Sequence, residues 1–251
     1  MHSLTGRSVI ITGAAQGIGA TYAKAIAAAG AKVSLCDIFA PAVTVEAILA
    51  AGGEAIGSVC DVSDADAVAR LVSTTTEAFG GIHGLVNNAA LFAALPKQPF
   101  EEITSADFDR VMSINVRGTF ECIKAVTSVM RRQRYGKIVN ISSGTVFKGA
   151  PNMLAYVASK GAIVAMTRSI AREVGRDGIC VNCLAPGLTM SESIANNEAF
   201  IKRGSSTVAS RCLQRDQQPS DLTGSVTFLL SADSDFMTGQ TIVVDGGAVM
   251  H

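Results

Sequence analysis

The chain contains no tryptophan, and aromatic residues fill only 5% of its 251 positions. Charge is scarce too: 17% of residues are charged, where an average soluble domain has about 25%. With 48% hydrophobic residues, such a chain buries a sizeable core and is not intrinsically disordered. Neither sign of charge is in excess, since Lys+Arg and Asp+Glu each number 21. That balance argues against a nucleic-acid partner, whose footprint is normally a basic excess. Histidine occurs only as His2, His83 and His251, so neither a Ser-His-Asp triad nor a His-rich metal centre is expected, and no metal site is assigned. No apolar run approaches the ~20 residues of a membrane span. The run at 9–11 is too short for the core of an export signal. Six cysteines without such a signal lead to the expectation of a reduced, cytoplasmic protein. Cys180 and Cys183 have C-x-x-C spacing but no second ligand pair. On a strand they would face opposite sides, so both are read as core thiols. The basic run Arg131, Arg132, Arg134 and Lys137 is read as cations at a helix C-terminus.

What is present is an alternation of short β-branched runs with longer helical periods. Strands are expected at 9–12, 32–37, 54–60, 84–87, 137–142, 179–184 and 241–244. Helices are expected at 18–29, 42–51, 64–79 (with Ser63 as N-cap), 107–132, 154–175 and 221–230. Strands and helices alternating at this spacing imply βαβ units. The fold class is therefore α/β, a doubly wound, Rossmann-type parallel sheet of seven strands in one domain. Ligands of such sheets bind beyond the carboxyl ends of the strands.

After the first strand comes Thr12-Gly13-Ala14-Ala15-Gln16-Gly17-Ile18-Gly19. Gly13 allows a tight turn, Gly17 a close approach of backbone to a pyrophosphate, and Gly19 close packing of helix on sheet. Gly13, Gln16, Gly17, Ile18 and Gly19 are thus candidate cofactor contacts, with the helix N-terminus offering N–H groups to the anion. Asp37 ends the second strand. A carboxylate there accepts bonds from both ribose hydroxyls of NAD and repels the 2′-phosphate of NADP. No Lys or Arg lies in the glycine loop, so the expected cofactor is NAD.

Tyr156 and Lys160 stand four residues apart in an expected helix, one turn apart on one face. An ammonium beside a phenol favours the phenolate and is expected to lower its pKa from about 10. Such a tyrosine serves as general base toward an alcohol or acid toward a ketone. Ser142 and Ser143 end a strand upstream, Asn87-Asn88-Ala89-Ala90 ends the fourth, and Asn115 interrupts the long amphipathic helix.

Taken in order, these motifs resemble the short-chain dehydrogenase/reductase family in its ~250-residue form, over essentially the whole chain. The resemblance implies that Tyr156 is the acid/base and that Lys160 lowers its pKa and binds the nicotinamide ribose. It implies that Ser143 orients the substrate oxygen and that Asn115 helps hold a water in a proton relay. It places Asp61 and Val62 at the adenine, Asn88 and Ala89 beside the adenosine ribose, and Pro186, Gly187 and Leu188 at the carboxamide. Two departures stand out. Ala90 replaces the family's glycine, and Ser191 replaces its threonine, with Thr189 an extra hydroxyl nearby. Either hydroxyl is a candidate for the carboxamide. The resemblance further implies a homotetramer built on the helices at 107–132 and 154–175.

The substrate pocket is expected to draw on Leu91, Phe92, Val146, Met153 and Met190, walls that suit an apolar secondary alcohol or ketone, aromatic or alicyclic. The polar segment 188–218 is expected to be an irregular lid. Competing readings are a 3-ketoacyl thioester reductase, which Asp37 disfavours, and a non-catalytic dinucleotide-binding regulator, which the retained Asn115, Ser143, Tyr156 and Lys160 disfavour.

Overall fold

The computed structural model describes residues 3–195 and 206–250. Seven parallel strands form one sheet in the order β3-β2-β1-β4-β5-β6-β7. They are β1 (Ser8–Thr12), β2 (Lys32–Asp37), β3 (Glu54–Val59), β4 (Gly84–Asn87), β5 (Gly136–Ile141), β6 (Ile179–Pro186) and β7 (Thr241–Val244). The order reverses between β1 and β4, and loops leaving those two strands diverge to open a crevice.

Alternation along the strands explains the two faces. Val9 and Ile11 of β1 and Val33 and Leu35 of β2 point to one side. There they pack with Tyr22 and Ile26 of α1 (Gly17–Ala28) and with Val226 and Leu229 of α10 (Thr223–Leu230). Ile10, Leu85 and Ile138 point to the other side, against Val68 and Leu71 of α3 (Ala65–Phe79) and Val126 and Met130 of α5 (Gly118–Gln133). Every residue of β1, β4 and β5 is buried, as a parallel sheet covered on both faces requires.

The remaining helices are α2 (Ala42–Ala50), α4 (Ser105–Met112), α6 (Thr145–Lys148), α7 (Leu154–Val174), α8 (Glu192–Ala195) and α9 (206–209). Several expectations are corrected. The helix expected at 107–132 begins at Ser105, widens into a π-helical turn at Ser113–Arg117, and continues as α5. α3 is capped by Asp64, whose carboxylate accepts from the N–H groups of Asp66 (2.9 Å) and Ala67 (3.2 Å). Ser63 instead donates to Asp61. Arg131 and Arg132 do sit in the last turn of α5, and Arg131 pairs with Asp177 at 2.8 Å. Lys137, however, is buried in β5, its ammonium 2.8 Å from Asp235. Cys183 is a core thiol, whereas Cys180, near the start of β6, is half-exposed, the one residue of that strand that is not buried. The 188–218 segment is not irregular throughout: it contains α8, α9 and a bridge from Thr189 to Gln217. Its residues 196–205 lie outside the described residues.

A buried chain of amides ties the sheet centre to α7. Asn87 Nδ2 donates to Asn140 Oδ1 (2.8 Å), and Asn140 Nδ2 donates to Thr167 Oγ1 (3.0 Å). Asn140→Ala leaves a buried donor and a buried acceptor unsatisfied at that junction. The expected loss is about 1–3 kcal/mol in urea unfolding. A wild-type midpoint would show that the chain does not hold α7 to the sheet.

Candidate active site

The carboxyl ends of β1, β2, β4, β5 and β6 open into a cavity of about 800 Å³, within the ~300–1,000 Å³ typical of cofactor and ligand sites. At its β1 side the glycine loop is built tightly. A Cβ at Gly13, whose φ is +66°, would sit 2.8 Å from Ala89 Cα, and one at Gly19 would collide with the Gly13 carbonyl. Thr12 Oγ1 accepts from the N–H groups of Asn88 and Ala89, both at 3.0 Å. Asn88 Nδ2 donates to the carbonyls of Thr12 and Gly13, again at 3.0 Å. This corner locks the loop to the end of β4. Gln16 makes no side-chain cap, so the first N–H groups of α1 stay available to an anion.

Asp37 stands where a ribose-binding carboxylate is needed. One oxygen accepts from Ala15 N–H (3.1 Å) and the other from Phe39 N–H (3.4 Å). Asp61 and Val62 line the same end of the cavity. A glycine cradle with free helix N–H groups and a carboxylate one strand over fits a dinucleotide.

At the other end, Tyr156 and Lys160 lie on α7, both buried, with the ammonium 5.8 Å from the centre of the phenol ring. Lys160 Nζ donates to the Ile141 carbonyl at 2.7 Å, so the end of β5 holds the side chain. The Ser143 hydroxyl accepts from Thr145 Oγ1 (3.0 Å) and lies near enough to the Tyr156 phenol to favour the phenolate. Ser142 points elsewhere and donates to the Lys160 carbonyl (2.8 Å). The expected drop in the Tyr156 pKa is not met. Burial pushes it up to about 12, with the Ser143 bond pulling weakly the other way. Burial also pulls Lys160 down to about 8. Desolvation is the largest cause of both shifts.

Asn115 is fully buried in the π-helical turn. Its Oδ1 accepts from Leu91 N–H (2.8 Å), and its Nδ2 donates to Ser159 Oγ (3.0 Å) and to the Leu91 carbonyl (3.3 Å). The side chain therefore fastens the 91–92 segment to α7. Phe92 follows, its ring 4.6 Å from that of Tyr156.

Gly13, Gln16, Gly17, Ile18, Gly19, Asn88, Ala89, Pro186, Gly187, Leu188, Thr189 and Ser191 all line the cavity. So do the pocket residues Leu91, Phe92 and Met153. Val146 and Met190 do not. Val146 turns toward α7, near Gly161. Around Met190 the chain turns tightly, with Ser191 N–H donating to the Thr189 carbonyl (2.9 Å); Leu188, Thr189 and Ser191 line the cavity and Met190 does not. Thr189 Oγ1 already donates to the Gly187 carbonyl (3.1 Å). Sequence reasoning missed Arg110 and assigned no role to Lys148, Arg211 and Asp245, which also line the cavity. Tertiary structure alone brings Arg110 there.

A doubly wound parallel sheet, a glycine loop at its switch point and a buried Tyr-x-x-x-Lys pair define a dinucleotide-dependent oxidoreductase. The comparisons agree. A family model described as enoyl-(acyl carrier protein) reductase matches residues 13–249. Galactitol 2-dehydrogenase of Agrobacterium fabrum is 40% identical, over 97% of this chain and 98% of that protein. The 3-oxoacyl-[acyl-carrier-protein] reductase of Synechocystis is 36% identical over all of both chains. The crystal structure of levodione reductase superposes with a TM-score of 0.89 at 35% identity, covering 96% of this chain and 97% of that one. The chain belongs to the short-chain dehydrogenase/reductase family and is an oxidoreductase that uses a nicotinamide dinucleotide. Among the described residues, no helix is long and apolar enough to cross a membrane.

Lys160 makes stability depend on pH. The unfolded chain keeps that proton up to the ordinary value of 10.5, the folded chain only up to about 8. Between those values the unfolded state binds more protons, so stability rises with pH across that window. In Lys160→Met this gain is absent. Urea unfolding from about pH 7 to about pH 10 is expected to show wild type gaining about 2–3 kcal/mol on the variant. A pH-independent difference would contradict the buried, depressed ammonium.

Proposed function

We propose that the protein is an NAD-dependent dehydrogenase or reductase that interconverts a secondary alcohol and a ketone. The observation that carries this reading is the charge layout of the cavity. Asp37 and Asp61 stand at its β2–β3 end, while its cations, Arg110, Lys148, Lys160 and Arg211, all come from elements after β4. Among the described residues, a 2′-phosphate beside Asp37 would meet a carboxylate and no cation of the cavity lining.

When bound, the dinucleotide supplies the hydride acceptor or donor. In this reading the rest of the chemistry belongs to the chain. Tyr156 holds and moves the proton at the substrate oxygen. Ser143 donates to that oxygen and orients it. Lys160 binds the nicotinamide ribose and, as ammonium, favours the phenolate of Tyr156. Asn115 fixes the wall opposite and serves the proton path behind Lys160. Asp61, Val62, Asn88 and Ala89 hold the adenosine; Pro186, Gly187, Leu188 and either Thr189 or Ser191 meet the carboxamide. Leu91, Phe92, Met153 and Ile194 supply apolar wall for the substrate's carbon frame. The segment 188–218, which lends several residues to the cavity, closes over both ligands; NADH would then protect it from limited proteolysis. Phe120 of α5 and Leu154 of α7 are large apolar residues left half exposed, in keeping with a homotetramer formed through those helices.

The cyanobacterial relative's name favours a second reading, reduction of a 3-ketoacyl thioester. A substrate panel separates the two.

Absorbance of the reduced nicotinamide tests the proposal. Turnover of secondary alcohols with NAD is expected to exceed that with NADP by about a hundredfold or more in kcat/KM, given the several kcal/mol that a like-charge contact costs. Asp37→Ala should narrow that ratio. Tyr156→Phe should lose at least about a thousandfold in kcat, by the usual weight of a general acid/base, while still binding NADH. NADP preference would overturn the cofactor assignment, and an active Tyr156→Phe enzyme would overturn the mechanism.

A further inference from the structure

The cavity contains a buried cation that hydride transfer does not use. Arg211 follows α9 and is 4% exposed, yet it lines the cavity. Its Nη1 donates to the Arg215 carbonyl (2.8 Å) and its Nη2 to the Leu188 carbonyl (2.6 Å). Both acceptors are neutral. Its Nε is buried without a partner. Among the described residues, no carboxylate lies within ion-pair distance of this guanidinium; the nearby Asp221 is taken by Arg215 at 2.6 Å. A guanidinium buried against carbonyl acceptors, with Asp221 near enough to interact but hydrogen-bonded to Arg215, keeps donor capacity for a further anion.

Sheet order says which anion. Arg211 bonds Leu188, just past β6, and its aliphatic stem packs where a Cβ on Gly246, just past β7, would lie 3.3 Å from Cδ. The glycine loop follows β1, three strand steps from β6. The segment after β6 meets that loop at Ser191, where a Cβ on Gly17 would lie 3.6 Å from Ser191 Cβ, whereas Arg211 is anchored at Leu188 and beside Gly246. Ser143 follows β5, a single step away. Arg211 therefore faces the half of the cavity that holds the substrate. Lys148, a second cation of the cavity, donates to Ser210 Oγ at 3.3 Å and stands beside the same segment. Of the acidic residues in the cavity, Asp37 and Asp61 are at the far end. Asp245 is engaged by the N–H groups of Gly247, Ala248 and Val249, each at 3.0 Å.

We propose that Arg211 is the anion subsite of the substrate pocket, and that the substrate is a hydroxy or oxo carboxylic acid. Its carboxylate pairs with Arg211 while its reacting oxygen meets Ser143 and Tyr156, and its carbon frame lies against the apolar wall. This narrows the alcohol/ketone reading above and rests on it.

The test compares 3-hydroxybutanoate and 4-hydroxypentanoate with their methyl esters, as substrates with NAD. In the wild type, at least one acid is expected to exceed its ester by about tenfold or more in kcat/KM, the usual margin of a charged hydrogen bond. Arg211→Gln should collapse that ratio, and Arg211→Lys should retain much of it. Wild-type preference for both esters, or a ratio unchanged in Arg211→Gln, would overturn the proposal. A second measurement on the wild type needs no variant. Butanoate should add to the protein–NADH complex, read by nicotinamide fluorescence, about tenfold more tightly than butanamide. Equal affinities would refute the subsite even if Arg211→Gln fails to fold. Failure of the parent reading looks different: no alcohol of any charge is turned over, while butanoate still discriminates in the binding measurement.

Discussion

The ammonium of Lys160 is buried with a single protein acceptor, the carbonyl of Ile141. An ammonium has three donors, so this arrangement is incomplete by design of the fold rather than by accident of a surface. It ties α7 to the end of β5 and aims the remaining donors into the cavity. Burial also pulls its pKa down to about 8 and pushes that of the neighbouring Tyr156 up to about 12. In the free protein the phenol is therefore held un-ionised, while Lys160 keeps its proton only up to about pH 8. Ribose hydroxyls accepting from Lys160 would hold it as ammonium, and an ammonium in that place favours the phenolate. In this account the acid/base becomes competent only when the cofactor site is filled.

The rest of the molecule makes that burial possible. A parallel sheet covered on both faces supplies the apolar surroundings, at roughly 25 cal/mol for each Å² removed from water. The amide chain Asn87–Asn140–Thr167 fixes α7 on the sheet, and Asn115 fixes the Phe92 segment over it. The corner formed by Thr12, Gly13 and Asn88 holds the phosphate loop to β4 at the point where strand order reverses. These polar contacts are few and each has named partners. They position the site, while the apolar packing stabilises it.

Local chemistry was legible in the sequence wherever a physical requirement is local. The glycine spacing after β1, the acid ending β2 and the i,i+4 pair on α7 each demand particular residues at particular offsets, and the strands follow from β-branched runs. What was not legible depends on competition or on distance. Proximity of Lys160 to Tyr156 can be read from spacing, but the desolvation that is the largest cause of both pKa shifts comes from elements far along the chain. Met190 and Ile194 look alike as sequence, and only the backbone turn at 189–191 keeps one out of the lining while Ile194 joins it. Ser63 and Asp64 are both good caps, and a one-residue shift decides between them. Arg211 carries no local signal at all, since its neighbours Leu188 and Gly246 come from the ends of two other strands.

The central claim is that cofactor binding brings Tyr156 into the working pH range. The chain has three tyrosines and no tryptophan, so phenolate absorbance can be followed directly during a pH titration. All three tyrosines are raised by burial in the free protein. The account predicts that the free protein shows no tyrosinate below about pH 10, the ordinary tyrosine value. With NAD bound, one tyrosinate should appear at least about two units lower, and it should be missing in Tyr156→Phe. Identical titrations with and without NAD would contradict the account.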